Sequence, residues 1–164
     1  SYKWYSKIMR KIPLTQGKFA LVDDEDFNAL SHYNWQFSTG YASRKIWLEG
    51  GKQTTLGMHR QIMNTPKELE TDHKNGNKLD NRKENLRIVS RSQNLMNNKV
   101  RKDNTSGFKG VSWMTRLNKW RAYLNIRGNQ LHLGLFSSKN KAAKVYNFAA
   151  DRYFGEFAKL NIIR

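Results

Sequence analysis

Hydrophobic and polar positions divide the 164-residue chain into stretches of different period. The plainest period-two pattern lies late in the chain. Val111 and Trp113 alternate with Ser112 and Met114. Trp120, Ala122 and Leu124 alternate with Arg121, Tyr123 and Asn125, and Leu131, Leu133 and Leu135 alternate with Gln130 and His132. The turns Arg116-Leu117-Asn118 and Arg127-Gly128-Asn129 separate these runs. The pattern predicts a three-stranded antiparallel meander with one apolar and one polar face. Ser137 or Ser138 then starts a helix through about Phe154. Its Ala142, Ala143, Val145, Tyr146, Ala149, Ala150 and Tyr153 form a stripe wide enough to cover the leucine face. Gly155 ends the helix.

The first half is more mixed. Residues 1 to about 17 are basic and aromatic, with Pro13 limiting any helix. Lys18 to Val22 reads as a strand, and the carboxylates of Asp23 to Asp26 suit a helix start. Phe27 and Leu30, with Tyr33 or Trp35, give the spacing of a short amphipathic helix. Trp35–Phe37 and Tyr41–Trp47 read as strands flanking a Ser38-Thr39-Gly40 turn, and Glu49 to Lys52 forms the next turn. Thr54 to Met63 carries His59 beside Arg60, a pair expected to be structural or to contact phosphate.

Glu70 to Asn98 breaks this pattern. Thr71-Asp72-His73 ends a strand, Lys74 to Asn85 is a long polar loop, and Leu86 to Val89 is a second strand. Ser90 or Ser92 then caps a helix carrying Asn94, Asn97 and Asn98. The polar, basic residues that follow read as a linker. The expected organisation is a mixed αβ segment over 1–53, a catalytic module over 54–98, a linker over 99–106 and a sheet-and-helix domain over 107–164. The fold class is α+β.

Charge sharpens the picture. Thirty Lys and Arg face 13 acidic residues, giving a net charge of +17. From Lys99 onward there are 14 basic and 3 acidic residues, so this part carries +11 of the total. Such an excess points to a polyanionic partner, and the aromatic content argues for a folded nucleic-acid binder over a disordered tail. No apolar run approaches a membrane span and no signal peptide is recognised, which leads to the expectation of a cytoplasmic protein without a membrane partner. The absence of cysteine excludes disulfides and a Cys-based structural zinc site in this sequence. Stability is therefore expected from apolar cores, with Trp4, Trp35, Trp47, Trp113 and Trp120 spread to fill them.

The chemistry concentrates at Asp72, His73, Asn85 and Asn94. Hydrolysis of a phosphodiester needs a base for water and charge neutralisation on the phosphate. A hard cation held by one or two protein oxygens can supply the second. Asp72 offers an anionic oxygen and Asn94 an amide oxygen. His73, on the opposite side of the strand, suits a general base, while Asn85 suits holding the loop that orients His73. An Asn-rich loop bonded to its own backbone would explain Asn75, Asn77 and Asn81, but not the full spacing beside a basic tail.

That spacing, with Asn-Leu-Arg at 85–87, resembles the HNH nucleases and their two-strand, one-helix metal finger. The run from Asp72 to Arg82 is similar to the phage homing-endonuclease branch. The resemblance implies that Asp72 and Asn94 bind the metal, that His73 is the general base and that Asn85 is structural. The metal is expected to be one divalent ion, Mg²⁺ first and Mn²⁺ as the alternative. Products would carry 5′-phosphate and 3′-hydroxyl ends.

The tail resembles APETALA2-type (ethylene-response-factor) DNA-binding domains through Lys109-Gly110-Val111, Lys119-Trp120-Arg121-Ala122, Leu133-Gly134-Leu135-Phe136, Lys141-Ala142-Ala143, Phe154-Gly155 and Leu160-Asn161. It implies a sheet laid in the major groove of double-stranded DNA. The expected contacts are Arg82, Arg87, Arg101, Lys102, Ser112, Arg116, Arg121, Tyr123, Asn125, Arg127, Gln130 and His132. Asn125 and Gln130 suit adenine edges. Pro13 to Lys18, Leu21 to Phe27 and Met58-His59-Arg60 resemble phage proteins that join an HNH nuclease to such a tail. The expected activity is a sequence-preferring, metal-dependent DNA endonuclease. A DNA-binding regulator with an inactive nuclease module is the alternative, and RNA is the less favoured substrate. Oligomeric state, and with it nicking or double-strand cutting, stays open.

Overall fold

The computed structural model describes residues 8–97, 100 and 103–164. Trp4, Asn98, Lys99, Arg101 and Lys102 lie outside the described residues. The fold is α+β, and the chain forms two compact units that divide between Arg91 and Ser92.

In the first unit, β1 (Met9–Pro13) pairs antiparallel with β2 (Phe19–Asp23), Ile12 opposite Ala20. The sequence gives no strand over β1, because MRKIP lacks alternation and ends in proline. Proline is tolerated here at the strand's last position. Helix α1 (Asp24–Ser31) follows with three acids in its first turn, where carboxylates favour the positive helix end. Asp23, expected to cap it, makes no side-chain cap bond. Its Oδ2 instead accepts from the backbone N–H of Lys83 at 2.8 Å, tying this segment to the polar loop.

Strands β3 (Gln36–Ser38), β4 (Tyr41–Trp47) and β5 (Gln53–Gly57) form an antiparallel sheet in that order. The sheet runs directly into α2 (Met58–Ile62). Strands β6 (Glu70–His73) and β7 (Leu86–Val89) make a separate antiparallel hairpin with His73 opposite Leu86. One core joins β1, β2, α1, β4 and α2. Ile12, Leu14, Ala20, Val22, Leu30, Trp35, Ala42 and Met58 are buried together, with Leu79 of the polar loop packed against them. Leu21 N–H donates to Leu79 O and Asn81 N–H to Leu21 O, both at 2.8 Å. Residues on both sides of position 53, among them Ala42 and Met58, share this core.

The second unit opens with α3 (Arg91–Met96) at the division. Strands β8 (Val111–Met114), β9 (Lys119–Ile126) and β10 (Asn129–Phe136) form a sheet ordered β10–β9–β8, covered by α4 (Lys139–Phe154). Ser138 caps the helix, its side chain accepting from Lys141 N–H at 3.4 Å. Leu124, Tyr146, Ala149, Ala150 and Phe154 form one buried cluster, and Val111, Ala122, Ala142 and Ala143 the other.

Three expectations change in this unit. The alternation in β10 does not run through, because the register shifts between His132 and Gly134. Leu135 therefore pairs opposite Arg121 on the polar side, and Phe136 takes the core position opposite Trp120. Gly134 at φ 134 supplies a backbone conformation that a side chain disfavours, which is how one strand absorbs the extra residue. On α4 the stripe ends at Phe154, four residues past Ala150, while Tyr153 is exposed. Trp113 falls on the apolar phase but is 40% exposed at the sheet's end, packed edge-on against Trp120 with centroids 4.9 Å apart.

Candidate active site

The polar loop between β6 and β7 is built by its own amides. Asn85 Oδ1 accepts from Asn75 N–H at 3.0 Å, Asn85 Nδ2 donates to Asp80 O at 2.8 Å, and Lys74 N–H donates to Asn85 O at 2.8 Å. A single residue thus closes the loop at both ends. Asn75 and Asn77 shape the turn inside it by accepting from Asn77 N–H and Leu79 N–H. Asp80 is buried and takes two hydrogen bonds of 2.8 Å from Arg82. Those bonds hold its carboxyl below the usual range despite opposing desolvation.

Asp72 and His73 end β6 and both are buried. Asp72 Oδ2 receives Arg87 Nε at 2.9 Å and its terminal nitrogen at 2.7 Å, across the strand pair. His73 Nε2 lies 3.2 Å from Asn81 Oδ1. Asn81 turns its Nδ2 to Leu79 O, so its oxygen faces the ring as an acceptor. An Asn81 oxygen in this position accepts from the ring in the tautomer protonated at Nε2. Burial lowers the pKa of His73, while Asn81 and the charges of Asp72 and Asp80 oppose the shift.

Sequence reasoning missed two neighbours of His73. Asn81, expected only to shape the loop, is fully buried against the imidazole. His59, at the start of α2, brings its ring centroid to 5.1 Å from that of His73, and Tyr41 stands 5.1 Å from His59 and 6.0 Å from His73. Lys78 Nζ sits 4.1 Å from the Tyr41 ring centroid. Burial first, then the nearby charges, hold the His59 pKa down at about 4. A Cβ on Gly57 would lie 2.5 Å from His59 Cε1, so the ring occupies space that only glycine leaves. No periodicity in the sequence connects His59 to His73, although Met58-His59-Arg60 belongs to the segments that resemble nuclease-bearing phage proteins. Arg60, by contrast, donates to three carbonyls, those of Thr65, Pro66 and Leu69, and is structural.

The other expected site residues fall into groups. Arg82 is engaged by Asp80 and Glu84, and Arg87 by Asp72, so both cations face carboxylates within the first unit. Asn94 is half-buried on α3 in the second unit. On the sheet of that unit, pairing puts Ser112 opposite Arg121, Tyr123 opposite His132 and Asn125 opposite Gln130, gathering all six on one face. The Arg121 guanidinium lies 4.8 Å from the Tyr123 ring centroid. Arg116 occupies the β8–β9 turn and Arg127 the β9–β10 turn, both exposed.

A buried histidine next to an aspartate on a two-stranded hairpin, followed in the chain by a short helix, has the element order of a nuclease ββα metal finger. The HNH endonuclease family matches residues 64–96, which hold Asp72, His73, Asn85 and Asn94. Uncharacterized HNH endonuclease L560 of Acanthamoeba polyphaga mimivirus is 30% identical over 154 residues, covering 90% of this chain and 77% of that protein. Protein 3.8 of Escherichia phage T7 is 33% identical over 94 residues, covering 57% of this chain and 77% of that protein. No solved structure matches. The chain belongs to the HNH endonuclease family and is a nuclease acting on DNA. Among the described residues no helix is long and apolar enough to cross a membrane.

Members of this family generally use a divalent metal. A carboxylate such as that of Asp72, whose Oδ2 is paired with Arg87, is a hard ligand of the kind that suits such an ion. A second acidic group, Asp23, Glu25 and Asp26, is served by the Lys83 ammonium at 2.8 Å from Glu25 and 3.1 Å from Asp26.

Proposed function

We propose that the protein is a sequence-preferring, metal-dependent endonuclease of the homing type that hydrolyses double-stranded DNA to 5′-phosphate and 3′-hydroxyl ends. Asp72 and Asn94, at the family's ligand positions, would hold Mg²⁺, with Mn²⁺ as the substitute. That ion supplies charge neutralisation on the scissile phosphate and the departing 3′ oxygen.

His73 accepts the proton of the attacking water at Nδ1, and Asn81 stabilises the resulting imidazolium by accepting from Nε2–H. The new bond forms between water oxygen and phosphorus as the bond to the 3′ oxygen breaks. Because burial keeps His73 neutral, the base is available at neutral pH. Asn85 holds the loop that carries Asn81. The contact between His73 Nε2 and Asn81 Oδ1 at 3.2 Å carries this reading, since it gives the buried ring a partner that holds it in place.

The second unit is proposed as an APETALA2-type DNA reader. Ser112, Arg121, Tyr123, Asn125, Gln130 and His132 would meet base edges or phosphates, with Arg116, Arg127, Arg101 and Lys102 on the backbone. Arg82 and Arg87 would contribute positive potential beside the scissile phosphate. The setting proposed is the cytoplasm of a bacterial or phage-infected cell.

Supercoiled plasmid incubated with and without Mg²⁺ or Mn²⁺, beside His73→Ala, tests the reading. Metal-dependent nicking or linearisation lost in the variant is the expected result. Binding without cleavage on DNA that carries the target would leave a DNA-binding regulator and overturn it.

A further inference from the structure

Trp47, expected in a core, is 72% exposed, with Leu48 beside it at 48%. The sheet explains where it points. Residues directly opposite on antiparallel strands share a face, and successive residues alternate. One face of the β3–β4–β5 sheet covers the core through Ala42 and Phe37, and Arg44 on that face donates to Gln61 at 3.0 Å. The other face begins at Tyr41, whose ring stands beside His59 and His73. It continues through Ser43, opposite Gly57 under the His59 ring. It then opens to solvent at Lys45 opposite Thr55 and at Trp47 opposite Gln53, all four exposed. Lys45 Nζ donates to Thr55 Oγ1 at 3.0 Å across the strands.

We infer that the β4–β5 hairpin is a second DNA-contacting surface, on which Lys45, Thr55, Trp47 and Gln53 grip the duplex adjoining the scissile phosphate. This rests on the nuclease reading, which puts that phosphate at His73. The face is continuous with the catalytic ring cluster, so DNA engaged at His73 must pass over it or leave along it. The six steps from Tyr41 to Trp47 span about 20 Å at roughly 3.3 Å each. That corresponds to about six base pairs on one side of the cut at about 3.4 Å per step. A two-stranded ribbon also has the width that a major groove admits. The chemistry matches duplex DNA: the lysine and threonine suit phosphate, the glutamine suits a base edge, and the tryptophan gives an apolar surface for sugar or base. Lys52 adds positive charge at the tip, and Glu49 is the acid there. A function for the β4–β5 hairpin follows: it extends the footprint of the nuclease beyond its own finger.

The test uses the full chain with Lys45→Ala/Trp47→Ala, in both a cutting-competent and a His73→Ala background. In the second background, affinity for a fluorescent 30-base-pair duplex is read by anisotropy at several salt concentrations. The expected result is affinity weakened roughly tenfold, with a shallower salt dependence and an unchanged melting temperature. In the competent background kcat/KM on plasmid falls by a similar factor, and the footprint retreats by about six base pairs. Lys45→Arg/Trp47→Phe restores binding. Affinity and footprint unchanged within about twofold overturn the proposal. If the alanine pair melts early, Lys45→Glu, which removes no packing, replaces it under the same two outcomes. Wild type that binds without cutting defeats the nuclease reading but leaves the binding comparison decisive for the hairpin.

Discussion

Lowering the pH from 7 to 5 should weaken the first unit through one residue, His59. The folded state holds this ring neutral down to about pH 4, whereas the free imidazole takes up its proton near 6.5. Between those values the unfolded chain binds more protons, so stability falls as pH drops through that window. Each pKa unit is worth about 1.36 kcal/mol, which makes the loss between pH 7 and pH 5 about 2 kcal/mol. His59→Phe keeps a ring against His73 and removes the titration. Urea unfolding of both proteins at pH 7 and pH 5, in the presence of a chelator, isolates the term, because carboxylates titrate alike in the two. Wild type should lose about 2 kcal/mol more than the variant. Equal losses would mean that His59 protonates freely in the folded protein, and the packed histidine pair would be wrong.

Other perturbations report on different parts of the fold. Gly110→Ala adds a methyl at φ 69 that meets the Tyr146 ring and lies 2.5 Å from Tyr123 O. It should cost the second unit about 3 kcal/mol in chemical denaturation. Asn161→Ala removes the side chain that accepts from Lys109 N–H at 2.7 Å and donates to Lys109 O at 3.0 Å. Loss of these two hydrogen bonds should cost about 2 kcal/mol or more, visible as a lower melting temperature with the first unit unaffected. Asn81→Ala removes the oxygen that lies 3.2 Å from His73 Nε2 and should reduce kcat by about tenfold to a hundredfold while plasmid binding persists.

Local signals made much of the architecture legible. The three runs of alternating residues became β8, β9 and β10, and Ser138 with Gly155 bounded α4. Tyr41–Trp47 matched β4 to the residue, and Leu86–Val89 matched β7. What stayed hidden depends on contacts between distant segments. The shift at Gly134 reverses the phase of Leu135 and Phe136, and period alone cannot show where a strand gains a residue. The carboxylate of Asp23 leaves its own helix for Lys83, sixty residues away. Asp72, His73, Asn85 and Asn94 stood out because chemistry and spacing coincide in one short segment. His59 and Asn81 reach His73 only once β5, α2 and the loop are folded, so nothing local marks them. Trp47 looked like core from composition, and only pairing with Gln53 shows which face it takes.

The central claim is that His73 supplies the base, and chemical rescue tests it most directly. Single-turnover cleavage of plasmid by His73→Ala would be measured with increasing exogenous imidazole, beside Asp72→Ala. Removing the base should lower the rate by roughly 10²- to 10⁴-fold. Imidazole should restore part of that rate in proportion to its concentration, and should do nothing for Asp72→Ala. A His73→Ala protein that cuts at the wild-type rate, or an Asp72→Ala protein that imidazole rescues equally, would contradict the account.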